Sequence, residues 1–181
     1  MLTSLIAKAG LPDDPTLAEV VDAVHSIPYG RPAERSPQGA LAAWRGTCST
    51  KHALLAIVLA ERWPQTKPQL VHRVYLCTPQ DTAHTFGPAV AAAVPEEGLW
   101  DVHRYLTIEL NGALIVIDVT FPSRPGWDGA GSMPVACGRG TDHTAGGDPD
   151  GEKRALELAH CDPRVREPFI AALAHTAPAE R

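Results

Sequence analysis

The chain has 181 residues, of which 44% are hydrophobic and 20% are charged, and its formal net charge is -5 at pH 7. This length is enough for one well-filled core and short for two, which predicts a single domain over residues 1–181. The net negative charge gives no indication of the basic surface that binds nucleic acid or an anionic membrane, so neither is predicted as a partner. No segment approaches the roughly 20 apolar residues of a bilayer-spanning helix, and the first ten residues lack a signal-peptide pattern, which predicts a cytoplasmic protein.

The first third of the chain predicts two helices. Asp13-Asp14-Pro15-Thr16 is a helix-start signal, and apolar residues follow it at helical spacing until the chain reaches Ile27-Pro28. Residues 30–39 contain two prolines, which favours an irregular connector. From Ser49 to Arg62 the chain is apolar on most of its helical circumference, which predicts a buried central helix that Trp63-Pro64 ends.

The middle of the chain predicts an antiparallel sheet. Residues 71–77 are rich in strand formers and bounded by prolines, whereas residues 79–98 are compatible with a short helix or a loop. The clearest strands are Val102–Leu110 and Ala113–Thr120, and the Asn111-Gly112 pair between them is a strong hairpin signal.

The C-terminal part predicts a long loop followed by helices. Residues 126–151 are glycine-rich and lack sustained periodicity, which favours a loop with one embedded strand near residues 133–136. Helical pattern returns within residues 152–176, where a last helix is expected to begin at Pro168.

The four cysteines contain no CxxC pair, which predicts free thiols in a reducing compartment. A zinc site could draw only on Cys137, His143, His160 and Cys161, and their spacing matches no common ligand pattern. We therefore predict neither a metal nor another cofactor. His143 could also belong to a solvated loop or to a lid.

The hairpin brings a histidine and a carboxylate onto one face. A two-residue turn pairs Tyr105 with Asp118 and His103 with Thr120. His103 and Asp118 then become diagonal neighbours, about 7 to 8 Å apart, on the same face of the sheet. Because an unpaired carboxylate is costly to bury, His103 is the expected partner of Asp118. The opposite face is predicted to be core, and its apolar residues are Val102, Leu106, Ile108, Leu110, Ile115, Ile117 and Val119.

Cys48 lies at the predicted start of the central helix. There its thiolate would face unpaired backbone N–H groups, which can lower a cysteine pKa from ~8.5 to about 3.5–7.5. Arg45 and Lys51 are expected to add positive charge nearby, and Gly46 to allow close backbone approach. The Cys48 amide would then donate to the oxyanion of a substrate carbonyl.

Several neighbouring side chains are candidates for supporting roles. Trp44, through its indole N–H, and Gln38 are candidates for the second oxyanion donor, while Tyr105 could bind substrate or hydrogen-bond Asp118. His52 is one helical turn beyond Cys48 and could act as the base, but it is more typical of a half-buried helical histidine.

These motifs together resemble the transglutaminase-like superfamily of papain-type thiol enzymes. The resemblance covers residues 40–122 and is carried by Gly46-Thr47-Cys48 before an apolar helix, His103 opening one strand, and Ile117-Asp118-Val119-Thr120 ending the next. It implies an α+β fold in which the cysteine helix packs on an antiparallel sheet. It also implies that Cys48 is the nucleophile, His103 the base and Asp118 the group that orients it.

The resemblance implies acyl transfer or hydrolysis at an amide or thioester carbonyl, through an acyl thioester on Cys48. The acceptor could be water, an amine or an internal carbanion, and the substrate a peptide, a small amide or a thioester. Ser49 replaces the tryptophan usual in transglutaminases proper, and Arg104-Tyr105 departs from the pattern often seen after the histidine. A catalytically silent binding or scaffold domain is the alternative.

Overall fold

The computed structural model describes residues 1–122 and 139–175. Its first four helices are α1 (Leu2–Ala9), α2 (Leu17–Ser26), α3 (Pro37–Ala43) and α4 (Cys48–Arg62), followed by a short 3-10 turn at Pro64–Thr66. The middle of the chain forms β1 (Gln69–Cys77), α5 (Pro79–Phe86), α6 (Pro88–Ala91), β2 (Leu99–Leu110) and β3 (Ala113–Ile117). The last described elements are β4 (Thr141–Thr144), α7 (Pro149–His160) and α8 (Pro163–Ala174).

The four strands form one antiparallel sheet in the order β3-β2-β1-β4, and α4 packs against β2 and β1. This arrangement confirms a mixed α and β fold in which the helix that carries Cys48 packs on an antiparallel sheet. None of the helices in the described ranges combines the length and the apolar character needed to cross a bilayer.

The β2–β3 hairpin has the register that the Asn-Gly pair predicts. Leu110 pairs with Ala113 and Leu106 with Ile117, across a turn in which both central residues have positive φ. The strand ends at Ile117 rather than at Thr120, so the ladder does not extend to Tyr105 and Asp118. It ends there because the next backbone N–H groups are used elsewhere, that of Val119 by a histidine ring and that of Thr120 by a carboxylate.

The helices at the N-terminus differ in part from the sequence prediction. The predicted start of α2 is confirmed by a capping box in which Thr16 and Glu19 satisfy each other's backbone N–H groups. Helix α1 was not predicted, and residues 30–39 are not wholly irregular because α3 begins at Pro37, where Ser36 caps it. Residues 79–98 contain two short helices.

The main apolar core lies around α4. Buried residues of α4 pack with Leu106, Ile108 and Val119, which confirms most of the predicted core face of the hairpin. The prediction is wrong for Leu110 and Ile115, which are 41% and 39% exposed because they lie near the turn at the sheet edge. A second buried cluster consists of Cys77, Phe86, Val90, Val94, Leu99, Phe121, Phe169, Ile170 and Leu173.

The predicted loop over residues 126–151 is wrong for the part that the structure describes. Residues 141–144 form β4, which pairs with β1, and Asp142 forms an ion pair with Arg73. A short strand of polar residues has no alternation of apolar side chains, so the sequence pattern could not indicate it. The strand expected near residues 133–136 lies outside the described residues.

The two predicted C-terminal helices are present, but each begins earlier than expected. Helix α7 begins at Pro149 rather than at residue 152. Helix α8 begins at Pro163, where Asp162 caps it, so that Pro168 lies inside the helix rather than at its start.

Gly46 is placed where a side chain does not fit. Its backbone exchanges hydrogen bonds with Pro28 and Gly30, forming a parallel bridge between Tyr29 and Gly46. A Cβ at Gly46 would lie 2.7 Å from Lys51 Cγ and 2.9 Å from Thr50 Oγ1. The glycine therefore allows the segment before α4 to lie against the first turn of that helix.

We expect Gly46→Ala to lower the free energy of unfolding by about 1–3 kcal/mol, because both contacts are with buried, hydrogen-bonded side chains. Urea denaturation measures the change. Gly147→Ala is the matched control, since a Cβ there meets nothing within 4 Å. Equal urea midpoints for Gly46→Ala and Gly147→Ala would contradict the close approach of Gly46 to Lys51 and Thr50.

Candidate active site

Cys48 is the first residue of α4. The preceding Thr47 donates its backbone N–H to Thr50 Oγ1 at 3.1 Å, which fixes the first turn of the helix. The bridge between Tyr29 and Gly46 fixes the chain just before it. Cys48 therefore lies at a helix start whose backbone is held on both sides. Its side chain lines a cavity of about 170 Å³, which His103 also lines.

His103 and Asp118 form the pair that the hairpin predicts. His103 Nε2 lies 2.5 Å from Asp118 Oδ2, and both side chains are buried. The other carboxylate oxygen of Asp118 accepts hydrogen bonds from the backbone N–H and the hydroxyl of Thr120. Both oxygens of the carboxylate are therefore occupied, and the imidazole is fixed in orientation.

Cys48, His103 and Asp118 shift one another's pKa values electrostatically. Burial alone would raise the pKa of Cys48, but the charge of Lys153, the imidazole of His103 and the Arg104 backbone N–H lower it to about 6. Burial opposes the charged form of His103, yet Asp118 and Cys48 raise its pKa to about 10. Although burial would raise the pKa of Asp118, His103 holds it well below its usual range. The lowered pKa of Cys48 and the raised pKa of His103 both favour a thiolate beside an imidazolium at neutral pH.

His52 has a different role from His103. It is completely buried; its Nδ1 donates to the Cys48 carbonyl at 2.8 Å, and its Nε2 accepts the Val119 N–H at 2.9 Å. Burial lowers its pKa to about 4. With both ring nitrogens occupied and the ring neutral, His52 has no free position from which to take a proton from the thiol. It is a helical histidine, as expected, but fully rather than half buried.

Lys51 does not supply the positive charge predicted for it. Its ammonium is fully buried and donates to three backbone carbonyls, those of His25, Ile27 and Thr120, at 3.0, 2.6 and 3.1 Å. Burial lowers its pKa to about 7, against the opposing charge of Asp118. Lys51 therefore ties the end of α2 to the segment after β3. Arg45 is exposed and does not line the cavity.

Lys153 from α7 is a cation that acts on the thiol, and the sequence did not indicate it. It is 5% exposed, lines the cavity, and is paired with Glu157 one turn later. Arg166 binds the same glutamate and also Asp101, so the lysine belongs to a buried ionic network. In sequence, Lys153 and Glu157 resemble an ordinary surface pair at i,i+4, which explains why they gave no signal.

Arg104 holds α7 over the site. Its guanidinium is 1% exposed, donates to the carbonyls of Ser49 and Pro149 and pairs with Asp150. It thereby joins the first turns of α4 and α7, which carry Cys48 and Lys153. Arg104, the residue after His103, thus has a structural role in this chain.

The predicted supporting residues do not line the cavity. Trp44 packs against the main core, and Gln38 is exposed on α3. Trp44 ends α3 with φ 48°, and its ring is one of the partly buried groups of that core. Tyr105 is buried, with its ring 6.4 Å from that of His103 and 5.7 Å from the Arg73 guanidinium. It therefore packs behind the histidine rather than in the cavity.

Tyr29 is a second functional candidate that the sequence did not single out. It lines the cavity beside Cys48, and the bridge to Gly46 fixes its backbone. Burial and the nearby negative charges of Cys48 and Asp101 raise the pKa of Tyr29 well above its usual value. Its hydroxyl therefore stays protonated and can donate a hydrogen bond. In the sequence it is only one residue of a helix-ending segment.

Within residues 1–122 and 139–175, no group of three or more His, Cys, Asp or Glu side chains is arranged to hold a metal ion. The ring of His160 lies 6.5 Å from that of Trp100. Cys137, the first member of the weighed zinc set, lies outside the described residues.

Comparisons with known proteins give no assignment. No protein-family model matches the chain, and no curated protein or solved structure matches it either. The arrangement of the site is therefore the basis for any functional conclusion.

We expect Lys153→Met to raise the pKa of Cys48 from about 6 towards its ordinary value of 9.0, because a buried positive charge next to the thiolate is removed. Iodoacetamide alkylation of Cys48, followed by peptide mass mapping across pH, measures this. At about pH 6.5 the alkylation rate of Cys48 should be at least about threefold lower in Lys153→Met than in the wild type. Lys153→Arg keeps the positive charge and should retain most of the alkylation rate. If Lys153→Met leaves the pH dependence of Cys48 alkylation unchanged, Lys153 does not lower the pKa of Cys48.

We also expect the destabilisation caused by Cys48→Ala to grow as pH rises from 6 to 9. His103, with its raised pKa, stabilises fully below pH 6.5 and loses this effect as pH rises towards about 10. Cys48, with its lowered pKa, loses its stabilising effect as pH falls from 9.0 towards 6. In the wild type, the contribution of Cys48 to the free energy of unfolding rises with pH while that of His103 falls. Cys48→Ala removes the rising contribution.

Urea denaturation at several pH values tests this expectation. Cys161→Ala is the control, because burial raises the pKa of Cys161 to about 11. The loss in free energy of unfolding caused by Cys161→Ala should therefore not vary between pH 6 and 9. A constant cost for Cys48→Ala over the same range would show that Cys48 is an ordinary thiol.

Proposed function

We propose that this chain is a cysteine-dependent acyltransferase or hydrolase that acts on an amide or thioester carbonyl. The observation that carries the proposal is a partly exposed thiol at a helix start, with a lowered pKa, coupled to a buried His103–Asp118 pair. A thiol that only filled space would be expected to have the raised pKa of a buried cysteine, as Cys77 has.

In the proposed reaction, Cys48 Sγ attacks the carbonyl carbon and the carbonyl oxygen becomes an oxyanion. The backbone N–H of Cys48, at a helix N-terminus, and the hydroxyl of Tyr29 are the proposed donors to that oxyanion. The carbon then loses its bond to the amine or thiolate leaving group, which takes the proton from the His103 imidazolium. The product is an acyl thioester on Cys48 and a neutral His103.

The second half of the reaction uses the neutral imidazole as a base. His103 takes a proton from water or an amine as that acceptor attacks the thioester carbonyl, and the Cys48 thiolate leaves. Asp118 keeps the imidazole in one orientation throughout, because both of its oxygens are held. The proposed acceptor is water, an amine or a substrate carbanion.

The chain order of Cys48, His103 and Asp118 and the packing of the cysteine helix on an antiparallel sheet support a papain-like, transglutaminase-like fold as part of the proposal. We also propose a cytoplasmic location, since a thiolate nucleophile that forms no disulfide bond with another described residue suits a reducing compartment. Peptides, small amides and thioesters are the proposed substrates, and neither nucleic acid nor membrane is proposed as a partner.

We expect a Cys48 acyl adduct when the protein is incubated with panels of amides, thioesters and glutamine-containing peptides. Intact-mass analysis detects the adduct as an added acyl mass. Cys48→Ala should lose it while keeping the fold by circular dichroism, whereas Cys161→Ala, which removes a thiol of raised pKa, should keep it. If no substrate gives an adduct and Cys48 titrates as an ordinary thiol, the domain is a silent binding module.

A further inference from the structure

The cavity at Cys48 has an apolar wall. The rings of Tyr29 and Phe121 stack with centroids 4.6 Å apart, and the ring of Phe86 lies 5.3 Å from that of Phe121. Two side chains of α8 extend this surface. The aromatic wall, as we name it, consists of Tyr29, Phe86, Phe121, Ile170 and Leu173, all of which line the cavity.

The rest of the cavity near the histidine is polar. Lys153 and Asp101 line it together with His103, and both belong to the buried ionic network. A leaving group has to lie against His103 to receive its proton, so it occupies the polar part. The aromatic wall is the apolar surface that remains for the acyl group of the same substrate, while Arg31 and Arg35 line the cavity as well.

The size of the cavity limits that acyl group. The whole cavity, its polar part included, has a volume of about 170 Å³, close to the ~150 Å³ of an engineered apolar cavity that binds benzene. This volume is an upper limit for an acyl group that lies inside the cavity, and a longer chain would exceed it. A charged acyl group would lose its hydration against the apolar side chains of the aromatic wall, in which the Tyr29 hydroxyl is the one polar group.

We propose that the aromatic wall is an acyl pocket that selects small, uncharged, apolar acyl groups, up to about the size of one aromatic ring. This inference rests on the proposed acyl-transfer function and adds the substrate class to it. With a thioester donor, the Cys48 Sγ–carbon bond forms and the carbon–sulfur bond of the donor breaks. The departing thiolate takes the proton of His103, so atoms and charge balance.

A series of thioesters that share one leaving thiol tests the proposal on the full chain. Acetyl, benzoyl, succinyl and palmitoyl thioesters are supplied separately, and the rate of the Cys48 adduct is followed by intact mass. We expect acetyl and benzoyl groups to transfer, with the benzoyl group at least about tenfold faster than the succinyl or palmitoyl group. Equal or faster transfer of palmitoyl or succinyl would overturn the assignment of substrate class.

A space-filling variant adds a second measurement. Ala53 lines the cavity on α4, so Ala53→Leu should slow benzoyl transfer at least about tenfold while keeping acetyl transfer and iodoacetamide alkylation within about threefold. Ala60→Leu, at an exposed position of the same helix, should change none of the three rates. Equal slowing of benzoyl and acetyl transfer by Ala53→Leu would count against an acyl pocket at the wall.

The two proposals fail in different ways. An adduct that forms with the wrong acyl class overturns the acyl pocket and leaves the Cys48 chemistry standing. Absence of an adduct with every thioester, and also with the panels of amides and glutamine-containing peptides, overturns both.

Discussion

The site depends on one buried carboxylate. Asp118 has a completely buried side chain, and an unpaired charge in such a place costs several kcal/mol. One of its oxygens is held by His103 and the other by Thr120. Because the carboxylate is fixed, the imidazole is fixed and positively charged, and that charge helps to lower the pKa of Cys48.

Helix α4 brings the thiol and the carboxylate together by its own periodicity. Cys48, Lys51 and His52 are spaced i, i+3 and i+4, so they lie on one face of the helix. Lys51 binds the carbonyl of Thr120, and His52 binds the N–H of Val119, so both hold the segment that carries Asp118. The same helix face therefore carries Cys48 and the two side chains that hold the segment of Asp118. Gly46 permits this arrangement because a side chain there would collide with Lys51.

The sequence could predict the parts of the site that local rules determine. The Asn-Gly turn fixes the hairpin register and so places His103 near Asp118, and the helix start fixes Cys48. Lys153 and Tyr29 were missed because their roles arise from tertiary packing of distant segments, with no local pattern. Trp44 packs against the main core, which local sequence could not indicate.

The ion pair between Lys153 and Glu157 persists through the proposed cycle. In the resting state the ammonium faces both the Cys48 thiolate and its permanent partner Glu157. Acylation converts the thiolate to a neutral thioester and leaves the histidine neutral, which removes one negative and one positive charge together. Lys153 then still has Glu157, so no uncompensated ammonium is left buried, a state that would cost several kcal/mol.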